Sequence, residues 1–323
     1  METVSVQPQS ALQAGVSLPE RIGNTPLIRL DHVARQLSRY NGLYSVTLLG
    51  KAEWANPGGS VKDRSAAAMV RDARARGLLV PGKTLLDAST GNTGIAFATL
   101  GAALGFPVHL AMPSSVSPEC KSILHACGAT VDWTDPDLGP DGAILRAREL
   151  AGNHPARFCY VDQYSNDANW LTHFHTTGPE IWQQTSGRIT HFVAGLGSTG
   201  TFMGAVRRLK GFNSTLQAIA LQPTSPRHGI HGLMHLGSSI VPAIYNPHLA
   251  DRQVTVETEA AYDMARRLAR DEGLMVGISA AAAVYTSLEI AREEADAGRS
   301  AVIVAVLPDA ASNYLSSRIW EQE

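Results

Sequence analysis

Cysteine is scarce in this chain. Cys120, Cys127 and Cys159 are the only three in 323 residues, and their spacing makes neither a CxxC pair nor a zinc-like cluster. An odd number of thiols without a secretory leader argues for a reducing compartment, expected to be the cytoplasm. Positive charge is not in excess either: the formal net charge is −2, which leaves no basic footprint for nucleic acid or an anionic membrane. The N-terminus lacks the basic n-region and compact apolar core of a signal peptide. The uncharged stretch "GIAFATLGAALGFPVHLAM", residues 94–112, approaches the length of a membrane span but is rich in Gly and Ala and contains Pro107 and His109. A buried helix, a turn at Gly105 and a short strand fit it better. There is no internal repeat, low-complexity tract or long charge run.

What is present is an apolar fraction of 44% with 17% charged residues, as in an ordinary soluble enzyme long enough for two domains sharing a cleft. From about residue 45, short apolar runs such as "KTLLDAS", "PVHLAMP", "THFVAGLG", "LQAIALQP" and "SAVIVAVLP" alternate with helix-length stretches. This rhythm predicts an α/β fold with buried, largely parallel sheets, and two sheets rather than one. A segment rich in Pro, Gly, His and Ser, about 223–247, breaks the rhythm; irregular segments of that length are usually functional. The first twenty or so residues read as a flexible arm.

In "NPGGSVKDRSA", residues 56–66, Ser60 is a good N-cap and Asp63 completes an S-x-x-D capping pattern, so a helix is expected to start near Val61. That places Lys62 in the first turn, where the helix dipole and unpaired N–H groups disfavour a cation. Lys62 is either a solvated side chain tolerating a small penalty or a lysine meant to lose its proton, fit to form a Schiff base or act as a base. Asp63 and Arg64 are expected to cap the helix and form a surface ion pair.

"THFVAGLGSTGTFMGAVRRL", residues 190–209, reads as strand, glycine-rich turn and helix, the arrangement of an anion site, with hydroxyls from Ser198, Thr199 and Thr201. Gly195, Gly197 and Gly200 spell G-x-G-x-x-G, which raises a nicotinamide dinucleotide as a rival. That rival needs an acidic residue at the end of the next strand, and here the strand ends in Gln222 and Pro223. A tight βα turn that needs its glycines only for conformation is the remaining alternative. "HGIHGLMH", with His228, His231 and His235, resembles a metal-ligand cluster but has no carboxylate or cysteine nearby in sequence, and no metal is expected.

Six motifs occur together and in order: "IGNTPLIRL" at 22–30, "NPGGSVKDRSA" at 56–66, "STGNTGIA" at 89–96, "DQYSNDAN" with "HTTGPEIW" at 162–182, "GLGSTGTFMG" at 195–204 and "VGISAAAAV" at 276–284. Through nearly its whole length the chain resembles the cysteine synthase family, pyridoxal-phosphate enzymes of the tryptophan synthase β-like fold (fold type II) that include O-acetylserine sulfhydrylase and cystathionine β-synthase. The resemblance implies that Lys62 holds pyridoxal 5'-phosphate in a Schiff base and then acts as the base. It implies that Asn92 bonds the ring hydroxyl oxygen, that Gly197, Ser198, Thr199, Gly200 and Thr201 cradle the phosphate, and that Ser279 faces the ring nitrogen. Ser89, Thr90, Gly91, Thr93 and Gln163 would bind the substrate carboxylate. Asn92 and Thr93 as helix caps, and Ser279 as an N-cap, are the structural alternatives.

The implied organisation is residues 1–51 as an arm and strands packing with the large domain, 52–156 as a smaller mobile substrate-binding domain, and 157–323 as a larger domain holding the cofactor phosphate. The implied reaction is β-replacement: O-acetyl-L-serine or a related activated serine loses its leaving group, an aminoacrylate remains, and sulfide or another sulfur donor adds to give L-cysteine. A homodimer is implied, with docking of a serine acetyltransferase or a sulfur-carrier protein as further possibilities. "GISAAAA" and "PDAASNYLSS" depart from the family's commoner "GISSGAA" and "PSSGERYLS". The "PDAASNYLSS" motif is closer to the branch that takes sulfur from a thiocarboxylated carrier protein, although the chain ends without that branch's longer tail. Phosphoserine-using members place an arginine near Met234, so acetylserine is expected here, unless Arg227 or a neighbouring histidine supplies the charge. Cystathionine β-synthase activity and amine nucleophiles are the alternatives within the class, and a dinucleotide oxidoreductase or an inactive binding protein outside it.

Overall fold

The computed structural model describes residues 15–35 and 45–320, so most of the expected N-terminal arm lies outside the described residues. Among the described residues, ten strands form two sheets: β1 (Leu27–Arg29), β2 (Val46–Ala52), β3 (Thr84–Ala88), β4 (Val108–Pro113), β5 (Thr130–Thr134), β6 (Phe158–Tyr160), β7 (His191–Gly195), β8 (Gln217–Pro223), β9 (Arg252–Val256) and β10 (Ala301–Leu307). The larger sheet has the order β1-β2-β10-β7-β8-β9 and the smaller β5-β4-β3-β6. Of these strands only β1 runs antiparallel to its neighbour. The expected parallel α/β architecture with two sheets is therefore present. The strands β1 and β9, the two edges of the larger sheet, escape a reading of apolar runs because β1 has only three residues and β9 is mostly exposed, with three polar residues among its five.

Parallel strands require crossovers, and helices cover the sheet faces. The larger sheet buries one face under α8 (Thr258–Asp271) and α9 (Ile278–Asp296), through Ala265, Leu268, Val284 and Leu288. Its other face packs on α7 (Gly200–Phe212), where Phe202, Met203 and Val206 meet Phe192. On the smaller sheet, Leu85, Leu110 and Met112 pack against Met69 and Val70 of α1 (Lys62–Ala75) and Phe97 and Leu100 of α2 (Asn92–Leu104). The uncharged stretch resolves into α2, a left-handed Gly105 at φ +72° and the fully buried strand β4. Among the described residues no helix is long and apolar enough to cross a membrane.

The start of α1 corrects two expectations. Ser60 does not cap the second or third helical amide: its Oγ accepts from Lys62 N (3.2 Å), and Asp63 Oδ2 turns back to accept from Gly58 N (2.5 Å) instead of from Ser60. Arg64, expected at the surface, is 1% exposed. Its guanidinium donates to both oxygens of Glu53 (2.8 and 2.9 Å) and both of Glu180 (2.7 and 2.8 Å), and Glu180 also accepts from Lys51 Nζ (2.7 Å). Thr25, Asn56 and Gln184 take up the remaining donors and acceptors. Two cations and two anions thus fasten α1 to β2 and to α6 (Thr177–Gln184). A charge-rich "VKDR" in sequence carries no sign that its arginine will be enclosed, since the two carboxylates come from distant segments.

Such a network is stabilising only while complete, because removal of one member strands a buried charge. Arg64→Ala is expected to cost about 3–5 kcal/mol in urea denaturation at neutral pH. Burial alone would raise the carboxyl of Glu180, but Arg64 and Lys51 hold it down to about 2. Its contribution is complete above the ordinary carboxylate value and fades as pH falls toward 2. The gap between wild type and Arg64→Ala should therefore narrow in acid.

Candidate active site

Five segments converge in one cleft, and each follows the carboxyl end of a parallel strand: 89–93 after β3, Gln163 and Tyr164 after β6, Gly197 and Ser198 after β7, Gly232 and Met234 after β8, and the 309–314 segment, through Tyr314, after β10. Carboxyl strand ends are where open α/β sheets gather ligands, because loops there splay apart while helix N-termini point inward. Lys62 joins them from the first residue of α1. Burial lowers its pKa, opposed by the negative charges of Asp309 and Glu53. The next residue, Asp63, is 3% exposed, and burial raises its carboxyl to about 7.

The glycine-rich turn is tightly packed and leads directly into the N-terminus of α7. Thr199 adopts φ +67°, a left-handed conformation unusual for a β-branched residue, immediately before α7. Its Oγ1 is buried with no hydrogen-bond partner among the described residues. Gly197 lies so close to the next loop that a Cβ would stand 2.4 Å from the Gly232 carbonyl oxygen, and a Cβ on Gly200 would meet Asn169 Oδ1 at 2.1 Å. Asn169 Nδ2 donates to Ser198 Oγ (3.1 Å), and the Thr201 hydroxyl pairs with His173 Nε2 (3.3 Å). Burial pushes His173 well below its ordinary value, so the ring is neutral. Asn169 and His173 escape a motif reading because they support the loop from α5 (Asp167–His175), a neighbouring helix.

The substrate-side loop divides into framework and open groups. Ser89 Oγ accepts from Gly91 N (3.1 Å) and Gly94 N (2.8 Å), and Gly91 takes φ +151°, open only to glycine. Thr93 Oγ1 donates to Gln163 Oε1 (2.9 Å), whose Nε2 donates to Ala88 O (2.6 Å). Thr90 is exposed at the cleft mouth. Neither Asn92 nor Thr93 is the helix cap; Gly91 is. Asn92 instead donates Nδ2–H to Asp309 Oδ2 (2.7 Å) and accepts from Asn313 Nδ2 (3.0 Å). Ser279 is likewise not an N-cap: Gly277 precedes α9, and Ser279, 4% exposed, lies one residue inside.

Beyond Thr90, Gly232 and Met234 the cleft widens into a cavity of about 760 Å³ bordered by Arg227, His228, His231 and His235. Arg227 is exposed, whereas Met234 is 5% exposed and its N–H donates to Leu196 O. His231 stacks on Tyr314 at 5.4 Å, and His235 pairs with Ser238. Among the described residues no group of three His, Cys, Asp or Glu is placed to hold a metal.

Lys62, its pKa lowered by burial, lines the same cleft as the glycine-rich turn, the arrangement expected of an enzyme that holds a phosphorylated aldehyde cofactor. The chain belongs to the pyridoxal-phosphate dependent enzyme family, whose model matches residues 18–309. It is 50% identical to the cysteine synthase of Aquifex aeolicus over 94% of this chain and 91% of that one. Among solved structures it is similar to the cysteine synthase of Entamoeba histolytica (TM-score 0.86, 30% identity, 100% and 95% covered). It is also similar to an O-ureido-L-serine synthase (TM-score 0.86, 36% identity, 96% of each chain). It is a pyridoxal-phosphate enzyme of the cysteine synthase type with the fold type II architecture, and the dinucleotide alternative is set aside.

Gly197→Ala should fold, because the obstruction is one loop carbonyl, but should displace that loop from the cradle. Reconstitution of apoprotein with pyridoxal phosphate is expected to show a loss of affinity of about tenfold or more, equivalent to ~1.4 kcal/mol. Unchanged affinity would mean that the turn does not serve the phosphate.

Proposed function

We propose that this protein makes L-cysteine by β-replacement, with O-acetyl-L-serine as the activated serine and sulfide or another sulfur donor as the nucleophile. The observation that carries the reading is Lys62, held at a helix N-terminus with a lowered pKa in the same cleft as Asn92 and the glycine loop. The unpartnered Thr199 hydroxyl and the obstruction at Gly197 fit a phosphate seated on the N-terminus of α7. Lys62 would hold the cofactor's aldehyde carbon, Asn92 its ring oxygen, Gly197 through Thr201 its phosphate and Ser279 its ring nitrogen. Bound pyridoxal phosphate supplies an electron sink for charge developing at the substrate's Cα.

This chain's own residues do the rest. A neutral Lys62 Nζ takes the Cα proton and later returns it; the positive end of α1 and burial both favour that neutral form. The Thr90 hydroxyl and the backbone N–H groups of Thr90, Asn92 and Thr93 bind the substrate carboxylate, while Ser89, Gly91, Thr93 and Gln163 hold the loop in shape. The hydroxyl of Ser279 carries no charge and does not enforce protonation of the ring nitrogen, which favours elimination over transamination. Residues 52–156 act as the smaller domain that closes on substrate, and 157–323 with 1–51 as the larger. The family resemblance supports a cytoplasmic homodimer with one cleft per subunit, and a serine acetyltransferase or sulfur-carrier protein as a docking partner.

A larger or non-sulfur nucleophile is the alternative reading, favoured by the wide outer cavity and by the likeness to an O-ureido-L-serine synthase. Cystathionine formation and amine addition fall within it. Product analysis with sulfide, homocysteine and hydroxylamine-type nucleophiles in parallel separates the readings.

Two measurements test the proposal. Lys62→Ala should fold but lose turnover and the borohydride-trappable adduct that wild type forms with pyridoxal phosphate; undiminished turnover would overturn the assignment. Wild type should turn over O-acetylserine and use O-phosphoserine poorly, since a phosphomonoester dianion taken out of water needs a charged partner and Met234 offers none. Efficient phosphoserine use that depends on Arg227 would reverse the substrate choice.

A further inference from the structure

Asp309 stands at the meeting point of the three elements that present Lys62, Asn92 and Ser279, and sequence motifs give it no role. Its backbone forms an antiparallel bridge with Ser60, and Val61 N donates to Pro308 O (2.8 Å), which pins the turn that precedes Lys62. Its carbonyl accepts from Gly277 N (3.0 Å), at the start of α9. Its side chain is fully buried, and Oδ2 accepts two hydrogen bonds, from Asn92 Nδ2 (2.7 Å) and the Tyr314 hydroxyl (2.6 Å). Oδ1 has no partner among the described residues. A side chain at Gly277 would place Cβ 2.0 Å from that oxygen, so glycine there is what admits the carboxylate.

We propose that Asp309 is the positioning residue of the cofactor site: its ionised carboxylate fixes the Asn92 amide and provides the counter-charge for the nitrogen of Lys62. This rests on the reading that Lys62 and Asn92 hold the cofactor. Burial raises the carboxyl of Asp309, and the hydrogen bonds from Tyr314 and Asn92 and the charge of Lys62 oppose that rise in favour of the ionised form. Both donors converge on Oδ2. With Asp309 accepting from Nδ2 and Asn313 donating to Oδ1, the Asn92 amide can be assigned only one way round, leaving its second N–H for the ring oxygen of the cofactor.

The other charged or titratable groups near Lys62 are already occupied. Glu53 is bound to Arg64, Thr25 and Asn56, the carboxyl of Asp63 is turned to Gly58, and His173 is neutral. Tyr314 lies beyond Asp309 and is held in its protonated form by burial and by that carboxylate. Among the charges acting on Lys62, Asp309 opposes the effect of burial most strongly.

The test compares wild type, Asp309→Asn and Tyr314→Phe as apoprotein and after reconstitution with pyridoxal phosphate. For Asp309→Asn, the pH midpoint of the bound cofactor's absorbance change is expected to fall by about one unit or more, since an opposite charge has been removed from a buried cationic nitrogen. Its affinity for pyridoxal phosphate should fall about tenfold. Tyr314→Phe keeps the carboxylate and should leave the midpoint nearly in place. If the asparagine variant does not fold, Asp309→Ser, which is smaller and relieves the crowding at Gly277, gives the same readout. A variant that lowers only the melting temperature of the apoprotein, with midpoint and affinity unchanged, would make Asp309 a structural residue and overturn the inference. An equal midpoint shift in Tyr314→Phe would overturn it too. If wild type shows no borohydride-trapped adduct at Lys62, the underlying reading fails and the inference with it.

Discussion

Arg64 is enclosed between Glu53 and Glu180, and the placement of the reactive lysine depends on that enclosure. Lys62 lies two residues earlier on the same helix, so any rotation or slide of α1 carries it away from the glycine loop. The guanidinium is a planar fork, and here it meets two carboxylates with all three of its nitrogens donating, a geometry a lysine could not reproduce. Coulomb attraction in a poorly screened interior is strong, but so is the cost of bringing four charges there. The network therefore acts less as a source of stability than as a register lock: only one orientation of α1 satisfies all four charges together.

Two helix N-termini face the same cleft and are used in opposite senses. At α7, on the proposed reading, the positive pole and unpaired amides would attract a phosphate beside Thr199, which is held in a left-handed conformation. At α1 the same pole repels a cation and keeps Lys62 ready to lose its proton. Asp309 moderates the effect at α1. Without a nearby negative charge the lysine nitrogen would resist the cationic state that the proposed proton transfer from carbon requires. With too much negative charge it would not give the proton back.

How far the sequence discloses this follows from where each signal lies. Apolar runs disclose the buried strands because a parallel strand is apolar on both faces; β1 is not disclosed because it has only three residues, and β9 because most of its residues face water. The glycine loop and Lys62 are legible because each departs from a local rule, a glycine cluster before a helix and a cation at the wrong pole. Arg64 is not, because its partners lie 11 and 116 residues away and the local text "KDR" has the composition of a surface. Local propensity assigns the caps to Ser60, Asn92 and Ser279, and tertiary demands reassign all three. Asp309 does leave a signal: a lone carboxylate directly after the apolar strand "AVIVAVLP" stands where open α/β sheets gather ligands.

The division of labour in the cleft bears on how one fold serves several nucleophiles. The groups proposed to hold a cofactor and move a proton sit on helix starts and on the loops that follow strand ends. The groups that border the outer cavity, Arg227, His228, His231 and His235, sit on an irregular segment between β8 and β9. Changes at those outer positions would alter what can enter behind the substrate, whereas Gly232 and Met234 of the same segment pack directly on the glycine loop. The stacking of His231 on Tyr314, whose hydroxyl bonds Asp309, is where the two sets touch. A nucleophile that displaced His231 would therefore meet the Tyr314 ring first, and the Asp309 carboxylate, held also by Asn92, would keep its place behind it.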